Sequence, residues 1–278
     1  MAWSGKLMGV LKPGSVQDLL DMVSSFNGKK LGIRGSSSKS VLSGPMGDGS
    51  DVLDMSEVRG LVSFEPDDQT VTVLCGTQVA DLQEELAKRS QCLPLPRTGH
   101  ALVDGFPGTV GGLLAMNLPH GLEAVYGSPR DWLLHLEILA FGGLAASGAK
   151  VVKSVAGYDV HKAVAGSRGH FGPFVTATFR TWPLKRLAEH RSNVLREWSG
   201  GPVWIARTLA SEFQGYLEQT QGVLAYDKAS CTLWADMEPK RPDEGWIMGP
   251  GGAVWPDTSG DPLVTSMKSV FDPSGMWL

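Results

Sequence analysis

Residues 153–172 constrain the fold of this chain more than any other stretch, and they read KSVAGYDVHKAVAGSRGHFG. The tripeptide Gly-Tyr-Asp at 157–159 leads into one or two predicted helical turns. Glycines then recur with a period of three, at Gly166, Gly169 and Gly172, before an apolar strand with the sequence FVTATF. Because glycine has no Cβ, such a run lets backbone amides approach a ligand closely. The segment predicts one wall of a cofactor site, and glycines that only pack a helix against a strand are the alternative.

Charge and cysteine content exclude several classes of protein. The net charge is −4 with 19% charged residues, and no basic run suggests binding to nucleic acid or to an anionic membrane. No apolar run reaches the roughly 18 residues that cross a bilayer, and the N-terminal apolar stretch is too short for a signal peptide. Cys75, Cys92 and Cys231 are too few and too widely spaced for a disulfide framework, a zinc site or an iron–sulfur cluster. We therefore expect a cytosolic protein.

Hydrophobic periodicity predicts alternating helices and strands in the first two thirds of the chain. Ser15 is the expected N-cap of a helix with an apolar stripe, and Thr77 is the expected N-cap of a second helix. The predicted elements are a helix after residue 15, a strand at 31–33, a hairpin of 61–65 with 70–75, a helix at 79–89, and strands at 133–141 and 174–181. The sequence indicates an α+β fold, with this first domain at residues 1–184.

The composition changes after residue 184. Five of the nine tryptophans fall within residues 185–262, together with a predicted hairpin around 227–228. A last helix is expected at 263–271, before an Asp-Pro-Ser-Gly sequence. Residues 185–278 are therefore predicted to form a small, strand-rich second domain with a C-terminal helix. Its tryptophans and Trp277 are candidates for a contact surface with a partner, and a second-domain core is the simpler interpretation.

Two further loops are candidates for binding a phosphate or a flavin. The first, RGSSSK at 34–39, follows a predicted strand and offers amides, hydroxyls and a lysine to an anion. It has neither the spacing of a P-loop nor that of a Rossmann fingerprint. The second, PGTVGG at 107–112, opens an apolar helix whose N-terminus favours negative charge. An ordinary serine-rich turn and a tight turn into a buried helix are the respective alternatives.

The order and spacing of these three loops resemble the FAD-binding fold of the vanillyl-alcohol oxidase and p-cresol methylhydroxylase (PCMH-type) superfamily. Within it, the chain is most similar to the FAD-binding subunits of bacterial glycolate oxidases. The sequence GSPRD at 127–131 looks like their G-S-V-R-D, and FDPSGM at 271–276 looks like their F-D-P-A-G-I. The resemblance implies two α/β subdomains that hold extended FAD between them, followed by a small, reduced C-terminal cap domain.

The resemblance also assigns roles to the loops. The 34–39 loop would cradle the pyrophosphate, the 108–112 loop would line the pyrophosphate and flavin side, and residues 127–128 would support the ribityl region. Phe174 would touch FAD through its main chain, and residues 157–158 would close the site. The implied FAD-binding residues are Arg34, Gly35, Ser36, Ser37, Ser38, Lys39, Pro107, Gly108, Thr109, Gly111, Gly112, Gly127, Ser128, Gly157, Tyr158 and Phe174.

No catalytic base or substrate-binding arginine can be identified from the sequence. The histidines lack the spacing of a metal site, and no metal is expected. His120 is the histidine with the best case for facing a ligand, and a surface position is the alternative. The resemblance implies a subunit of a glycolate or D-lactate dehydrogenase complex, with a second flavoprotein subunit and an iron–sulfur subunit as partners. Such a subunit would be cytoplasmic, with any membrane association peripheral and through those partners.

Two other functions remain open. FPGTVGGLLAMN at 106–117 resembles the loop of UDP-N-acetylenolpyruvoylglucosamine reductase, an enzyme with the same FAD fold. The serines at 36–38 stand where the glycolate oxidase subunits have glycine and threonine, R-G-G-G-T-K. Their side chains point to a third interpretation, a structural subunit in which the first loop no longer admits pyrophosphate.

Overall fold

The structure is a computed structural model, and it describes residues 9–27, 30–39, 50–95, 108–120, 122–140, 143–152, 159–187, 193–194, 204–228, 230–243, 245–249, 252–254, 262–272, 274 and 276–277. The helices found there are α1 (Val16–Ser24), α2 (Val79–Ala87), α3 (Val110–Met116), α4 (Glu123–Tyr126), α5 (Pro129–Trp132), α6 (Val160–Val164), α7 (Leu184–Leu187), α8 (Phe213–Gln219) and α9 (Pro262–Phe271). A 3₁₀ turn covers Met55–Glu57.

The strands found in the same residues are β1 (Val10–Leu11), β2 (Leu31–Arg34), β3 (Asp51–Asp54), β4 (Leu61–Glu65), β5 (Thr70–Leu74), β6 (Gln91–Cys92), β7 (Leu133–Ala140), β8 (Gly143–Gly148), β9 (Phe174–Arg180), β10 (Trp182–Pro183), β11 (Asn193–Val194), β12 (Trp204–Thr208), β13 (Val223–Asp227), β14 (Thr232–Ala235), β15 (Gly245–Gly249) and β16 (Gly252–Val254). Helices and strands alternate through the first two thirds of the chain, so the α+β prediction is confirmed.

The first subdomain is a small parallel sheet, in the order β1-β3-β2, covered by helix α1. The hydroxyl of Ser15 accepts a hydrogen bond from the backbone N–H of Asp18 and caps α1, as the sequence predicts. The apolar face of α1 points toward the sheet, where Leu19 packs with Leu31 of β2 and Leu53 of β3. These three leucines are fully buried. Burial of a leucine side chain contributes about 2 kcal/mol. The 34–39 loop begins at the end of β2 in this sheet.

The second subdomain is a five-stranded antiparallel sheet in the order β4-β5-β9-β7-β8. The predicted hairpin pairs β4 with β5, and the FVTATF segment forms β9 at the centre of the sheet. The core-facing residues of β5 and β9 include Val71, Val73 and Phe179. Inside the sheet, the hydroxyls of Thr72 and Thr178 share a hydrogen bond of 2.9 Å, which pairs polar groups that have no access to water.

The third sheet is antiparallel, in the order β11-β13-β14-β12-β15-β16, and helix α8 packs on it. The hairpin predicted around residues 227–228 joins β13 to β14. Arg207 of β12 reaches back to the second subdomain, where its guanidinium donates to both carboxylate oxygens of Glu123 at 3.1 and 2.7 Å. Ile205 and Trp234 of this sheet belong to the same buried cluster as the five-stranded sheet. The two sheets therefore share one apolar core.

Two expectations about individual residues are wrong. Thr77 is not the N-cap of α2, because Gln78 occupies that position and the Thr77 hydroxyl accepts a hydrogen bond from the N–H of Gly60 instead. Trp277 is not a surface for partner contacts, since it is 5% exposed and packs with the first subdomain. Asp272, just after α9, fixes it there by accepting hydrogen bonds from the N–H groups of Met276 and Trp277. Among the described residues, no helix is long and apolar enough to span a bilayer.

Candidate cofactor site

The 34–39 loop and the start of helix α3 lie against each other. An added Cβ at Gly108 would overlap the hydroxyl of Ser38 and would lie 3.0 Å from both Lys39 Nζ and Ser36 Oγ. Lys39 Nζ also lies 3.8 Å from the corresponding point at Gly112. Two hydroxyls and an ammonium therefore converge on the backbone that opens α3, and we call these groups, with Thr109, the polar cradle.

Glycine is required at two positions of the polar cradle. Gly108 has a φ of +117°, a conformation that side-chain-bearing residues rarely adopt. Gly35 faces Thr109 so closely that a Cβ on Gly35 would overlap the threonine hydroxyl. The two loops can touch only because neither glycine carries a side chain. The predicted approach of these loops to a ligand is a different contact and stays a prediction.

Hydrogen bonds to neighbouring segments hold the second loop of the cradle in place. Thr109 caps α3 by accepting a hydrogen bond from the N–H of Gly112 at 3.2 Å. The carbonyl of Gly108 accepts from Val79 at the start of α2, and the N–H of Gly111 donates to the carbonyl of Cys75 at 2.7 Å. The cradle is therefore anchored to the end of β5 and to α2, which belong to the five-stranded subdomain.

Lys39 gives the cradle its charge. It is 6% exposed, and burial lowers its pKa to about 8. Its ammonium lies 3.4 Å from Ser38 Oγ, to which it donates a hydrogen bond. A phosphate oxygen beside this ammonium would favour the protonated lysine and would accept from the nearby hydroxyls. The donor set of the cradle therefore fits a phosphate group such as those of FAD.

Arg34 and Ser37 shape the first loop from its two sides. The guanidinium of Arg34 donates to one carboxylate oxygen of Asp54 through Nε at 3.1 Å and Nη2 at 2.8 Å, which ties the end of β2 to β3. Although burial opposes it, hydrogen bonds from Ser56 and the contact with Arg34 hold the pKa of Asp54 below its usual value. Ser37 has a φ of +57°, in the left-handed region that glycine prefers. The loop keeps its curvature with a serine in this position.

Gly127 and Ser128 lie in a second turn, which is held by protein groups. Ser128 donates through its N–H and its hydroxyl to the carboxylate of Asp131, at 2.8 Å each, and begins helix α5. A Cβ on Gly127, where φ is +77°, would lie 2.8 Å from the Asp131 side chain. Asp131 is therefore a structural clamp for this turn, and its partner is Ser128 rather than the neighbouring Arg130.

His120 is a buried structural residue, so both expectations for it, a ligand-facing or a surface position, are wrong. It is fully buried against Trp132, with ring centroids 5.1 Å apart. Its Nδ1 accepts from the N–H of Leu122, so the proton resides on Nε2, which donates to the carbonyl of Gly127 at 3.1 Å. Burial lowers its pKa to about 4. With both nitrogens engaged, His120 has no lone pair to offer a substrate.

The glycine triplet of the opening segment packs against protein. A Cβ on Gly172, where φ is +118°, would overlap the carbonyl oxygen of Leu139, and one on Gly169 would lie 3.2 Å from the Ile33 side chain. Phe174 begins β9 with its side chain in the core. Gly169 and Gly172 lie in a turn, not a helix, and pack that turn against β2 and β7. Pro107, Gly157 and Tyr158 lie outside the described residues.

The structure thus brings together one part of the predicted site. Ser36, Ser38, Lys39, Gly108 and Thr109 meet in the polar cradle, with Gly35 and Gly112 beside them. The described contacts of Gly127, Ser128 and Phe174 are with other elements. Sequence patterns did not single out Arg168, a charged residue between Gly166 and Gly169 of the opening segment. Its position, a charged side chain within a glycine-rich stretch, could have marked it as a candidate binding residue.

Residues 8–145 match the family described as "FAD binding domain". The chain is 29% identical over 227 residues to glycolate oxidase subunit GlcE of Escherichia coli, a match that covers 80% of this chain and 60% of that protein. It is 25% identical over 182 residues to D-2-hydroxyglutarate dehydrogenase of Xanthomonas citri pv. viticola, covering 64% of this chain and 37% of that enzyme. The family match at residues 8–145 contains the whole polar cradle.

A solved structure of alkyldihydroxyacetonephosphate synthase is similar in fold, with a TM-score of 0.50 and 15% sequence identity. The similarity covers 95% of this chain and 50% of that one. The chain therefore spans 50% of the length of the synthase chain and 60% of the length of the glycolate oxidase subunit. The predicted PCMH-type FAD-binding fold is confirmed.

Proposed function

Because this chain belongs to the FAD binding domain family through residues 8–145, we propose that it is the FAD-binding subunit of a dehydrogenase complex that oxidises a 2-hydroxy acid, glycolate or D-lactate. The polar cradle is the observation that carries the proposal, because its hydroxyls and buried ammonium match a pyrophosphate. When bound, FAD supplies the two-electron redox chemistry of such a complex. The likeness to a glycolate oxidase subunit supports the choice of substrate class.

The residues of this chain would bind and orient the cofactor. Ser36, Ser38 and Lys39 would hold the pyrophosphate, with the Gly108–Gly112 backbone beside it. Gly127 and Ser128 would support the ribityl region, the backbone of Phe174 would contact the cofactor, and Gly157 and Tyr158 would close the site. His120 lies in the core and does not serve as a base. In the proposed complex, a second flavoprotein subunit would oxidise the hydroxy acid.

The proposed partners are that second flavoprotein subunit and an iron–sulfur subunit that passes electrons onward. Cys75, Cys92 and Cys231 are each buried in the core, and the described residues contain no group of three potential metal ligands. The iron–sulfur clusters of the proposed complex would therefore reside in the partner. Any association with the cytoplasmic face of a membrane would be peripheral and through these partners.

We place the domain boundary of the proposed subunit at residues 184/185. Within the described residues, β10 is the last strand to pair with the first part of the chain, Trp182 opposite Cys92, and Trp277 adds only an isolated bridge to Leu31. Every later strand belongs to the six-stranded sheet. The shared core and the Arg207–Glu123 ion pair support a cap fixed on the FAD domain.

The test is to purify the chain alone and together with co-expressed partner subunits. We expect visible flavin absorption in both preparations, and reduction of a dye by glycolate or D-lactate only in the complex. A flavin-containing chain whose complex oxidises neither acid would contradict the substrate class. Colourless protein in both preparations would remove the flavin assignment as well.

Two alternatives have an observation of their own. The Gly108–Gly112 loop that opens α3 also suits a reductase of UDP-N-acetylenolpyruvoylglucosamine, which predicts NADPH oxidation with enolpyruvyl-UDP-N-acetylglucosamine. The hydroxyls of Ser36 and Ser38, which both face Gly108, suit a structural subunit that excludes pyrophosphate. That alternative predicts that the double substitution Ser36→Gly, Ser37→Gly raises FAD binding, and unchanged binding would count against it.

A further inference from the structure

The end of the opening segment packs against the last turn of helix α9. The ring of Phe171 lies 5.4 Å from that of Phe271, and a Cβ on Gly172 would lie 3.2 Å from the indole nitrogen of Trp277. Lys268 lies on the same turn of α9, where its carbonyl accepts from the N–H of Asp272 at 2.7 Å. This packing places the loop close enough to α9 for the charge of Lys268, like that of Arg168, to act on His170.

Arg168 has an unsatisfied cationic group beneath the surface. Its backbone adopts a φ of +55°, and its N–H donates to the carbonyl of Ala115 at 2.9 Å, at the end of α3. The Nη2 atom of its guanidinium is buried and has no hydrogen-bond partner, and burial lowers the pKa of the side chain. An unpaired charged donor that is shielded from water is costly, so a bound acceptor at this position would stabilise the protein.

The surroundings of Arg168 add positive charge. Desolvation, together with the charges of Lys268 and Arg168, lowers the pKa of His170. The Nζ of Lys268 has a long hydrogen bond of 3.4 Å to the carbonyl of Trp277. Within the described part of the chain, no ion pair with a carboxylate includes Arg168 or Lys268. Arg168 and Lys268 are thus two cations beside a neutral His170, and the Nη2 atom of Arg168 is the unpartnered donor of this cluster.

The cluster is separate from the polar cradle. The cradle lies at the first turn of α3, at Thr109, and Arg168 is anchored to the last turn, at Ala115. At 1.5 Å per residue these two anchor points are about 9 Å apart along the helix. A phosphate held by Lys39 would therefore leave the donors of Arg168 and Lys268 available for another group.

We propose that Arg168, His170 and Lys268 form a binding site for an oxyanion, the carboxylate or phosphate group of a small molecule. The planar guanidinium of Arg168 offers a fork of donors that matches either group, and Lys268 adds a second charge. The site goes beyond the proposed function because it gives the chain a second ligand.

Isothermal titration calorimetry on the full chain in a low-chloride buffer tests the site, with glycolate and inorganic phosphate as separate probes. We expect at least one of the two to bind. Arg168→Gln and Lys268→Gln should each weaken binding about tenfold, since each removes a charged contact. Lys162→Gln is the matched control, because Lys162 lies on α6 and pairs with Asp159, and it should bind like the wild type.

The outcomes separate the two sources of the oxyanion. Heat with glycolate alone identifies a carboxylate site, and heat with phosphate alone identifies a phosphate site. Binding of neither probe, or equal binding by the wild type and both substituted chains, overturns the proposal. Arg168→Lys keeps the charge and removes the fork, so its intermediate affinity would confirm the role of the guanidinium if Arg168→Gln does not fold. All titrations use chain from which bound flavin has been removed, so these outcomes do not depend on the flavin content.

Discussion

Two glycine-rich loops of this protein have similar compositions and opposite surroundings. Around Gly108, the missing side chain leaves room that hydroxyls and an ammonium border, from Ser36, Ser38 and Lys39. At Gly172, the space left by the missing side chain is occupied by the backbone carbonyl of Leu139 in the neighbouring strand β7. Both glycines have positive φ. What differs is the chemistry of the atoms that the glycine admits.

The comparison shows how a binding glycine differs from a packing glycine. A glycine that admits polar side-chain ends leaves donors that a ligand can use, because those ends can move. A glycine that admits a backbone carbonyl locks two segments together, and a substitution there forces the backbone apart. Gly127 is intermediate: an added Cβ there would meet the Asp131 side chain rather than a backbone carbonyl, but Asp131 and His120 are both hydrogen-bonded within the turn.

The largest expected effect is that of Gly172→Ala on stability. An alanine there must adopt an unfavourable φ and overlap the Leu139 carbonyl, so we expect the free energy of unfolding to fall by about 3 kcal/mol. Urea denaturation measures it. Gly143→Ala in β8 is the control, because a Cβ at Gly143 meets nothing within 4 Å, and it should cost less than about 0.5 kcal/mol. Equal costs for the two substitutions would break the comparison.

The packed turn at Gly127 should be sensitive to acid through His120. In the folded protein the pKa of His120 is about 4, below its ordinary value of 6.5, so the folded state resists protonation. Stability from this residue is complete above about pH 6.5 and falls as the pH drops toward 4, by at most about 1.4 kcal/mol per pH unit.

Urea denaturation across this pH range checks the prediction for His120. His120→Gln should be less stable at neutral pH and should lose less of its stability on acidification than the wild type does. Parallel pH profiles for the wild type and His120→Gln would show that His120 titrates as it does in the unfolded chain.

The polar cradle should lose affinity for FAD in base. The pKa of Lys39 is about 8 in the free protein, and a bound phosphate would raise it. Above pH 8 the free lysine releases its proton, so FAD affinity should fall, by up to about tenfold per pH unit. Titration of FAD fluorescence measures this. Lys39→Gln should bind more weakly at neutral pH and show no such dependence, whereas identical profiles would exclude Lys39 from the site.

The smallest expected effect concerns Ser37. Glycine adopts a φ of +57° without strain, so Ser37→Gly should raise the free energy of unfolding by about 0.5 kcal/mol. Ser63→Gly in strand β4 is the control, and there the added flexibility should cost about 0.5 to 1 kcal/mol. Thermal unfolding of both substituted chains checks the sign. A destabilised Ser37→Gly chain would mean that the hydroxyl of Ser37 holds the loop.

The sequence predicted those parts of the structure that depend on local patterns. Residues close together in the chain predict the Ser15 cap, the apolar stripe of α1 and the hairpin of 61–65 with 70–75. The family was likewise predicted from short motifs. The misplaced residues depend on distant contacts. The Thr77 hydroxyl accepts a hydrogen bond from Gly60, His120 is buried against Trp132, and Gly172 packs against the Leu139 carbonyl. Hydrophobic periodicity reveals none of these contacts. The loop sequence predicts Lys39 as a binding residue. The burial of Lys39 depends on the packing of α3 against the loop, which the sequence does not show.

The flavin content of the purified chain tests the central claim most directly. The chain is equilibrated with FAD, freed of unbound cofactor by gel filtration, and measured by its visible absorption. The wild type and Gly143→Ala should retain stoichiometric FAD, and Gly108→Ala should lose it, because its methyl group displaces Ser38 and Lys39 from the cradle. A colourless wild type, or a Gly108→Ala chain that retains FAD as well as Gly143→Ala does, would contradict the account.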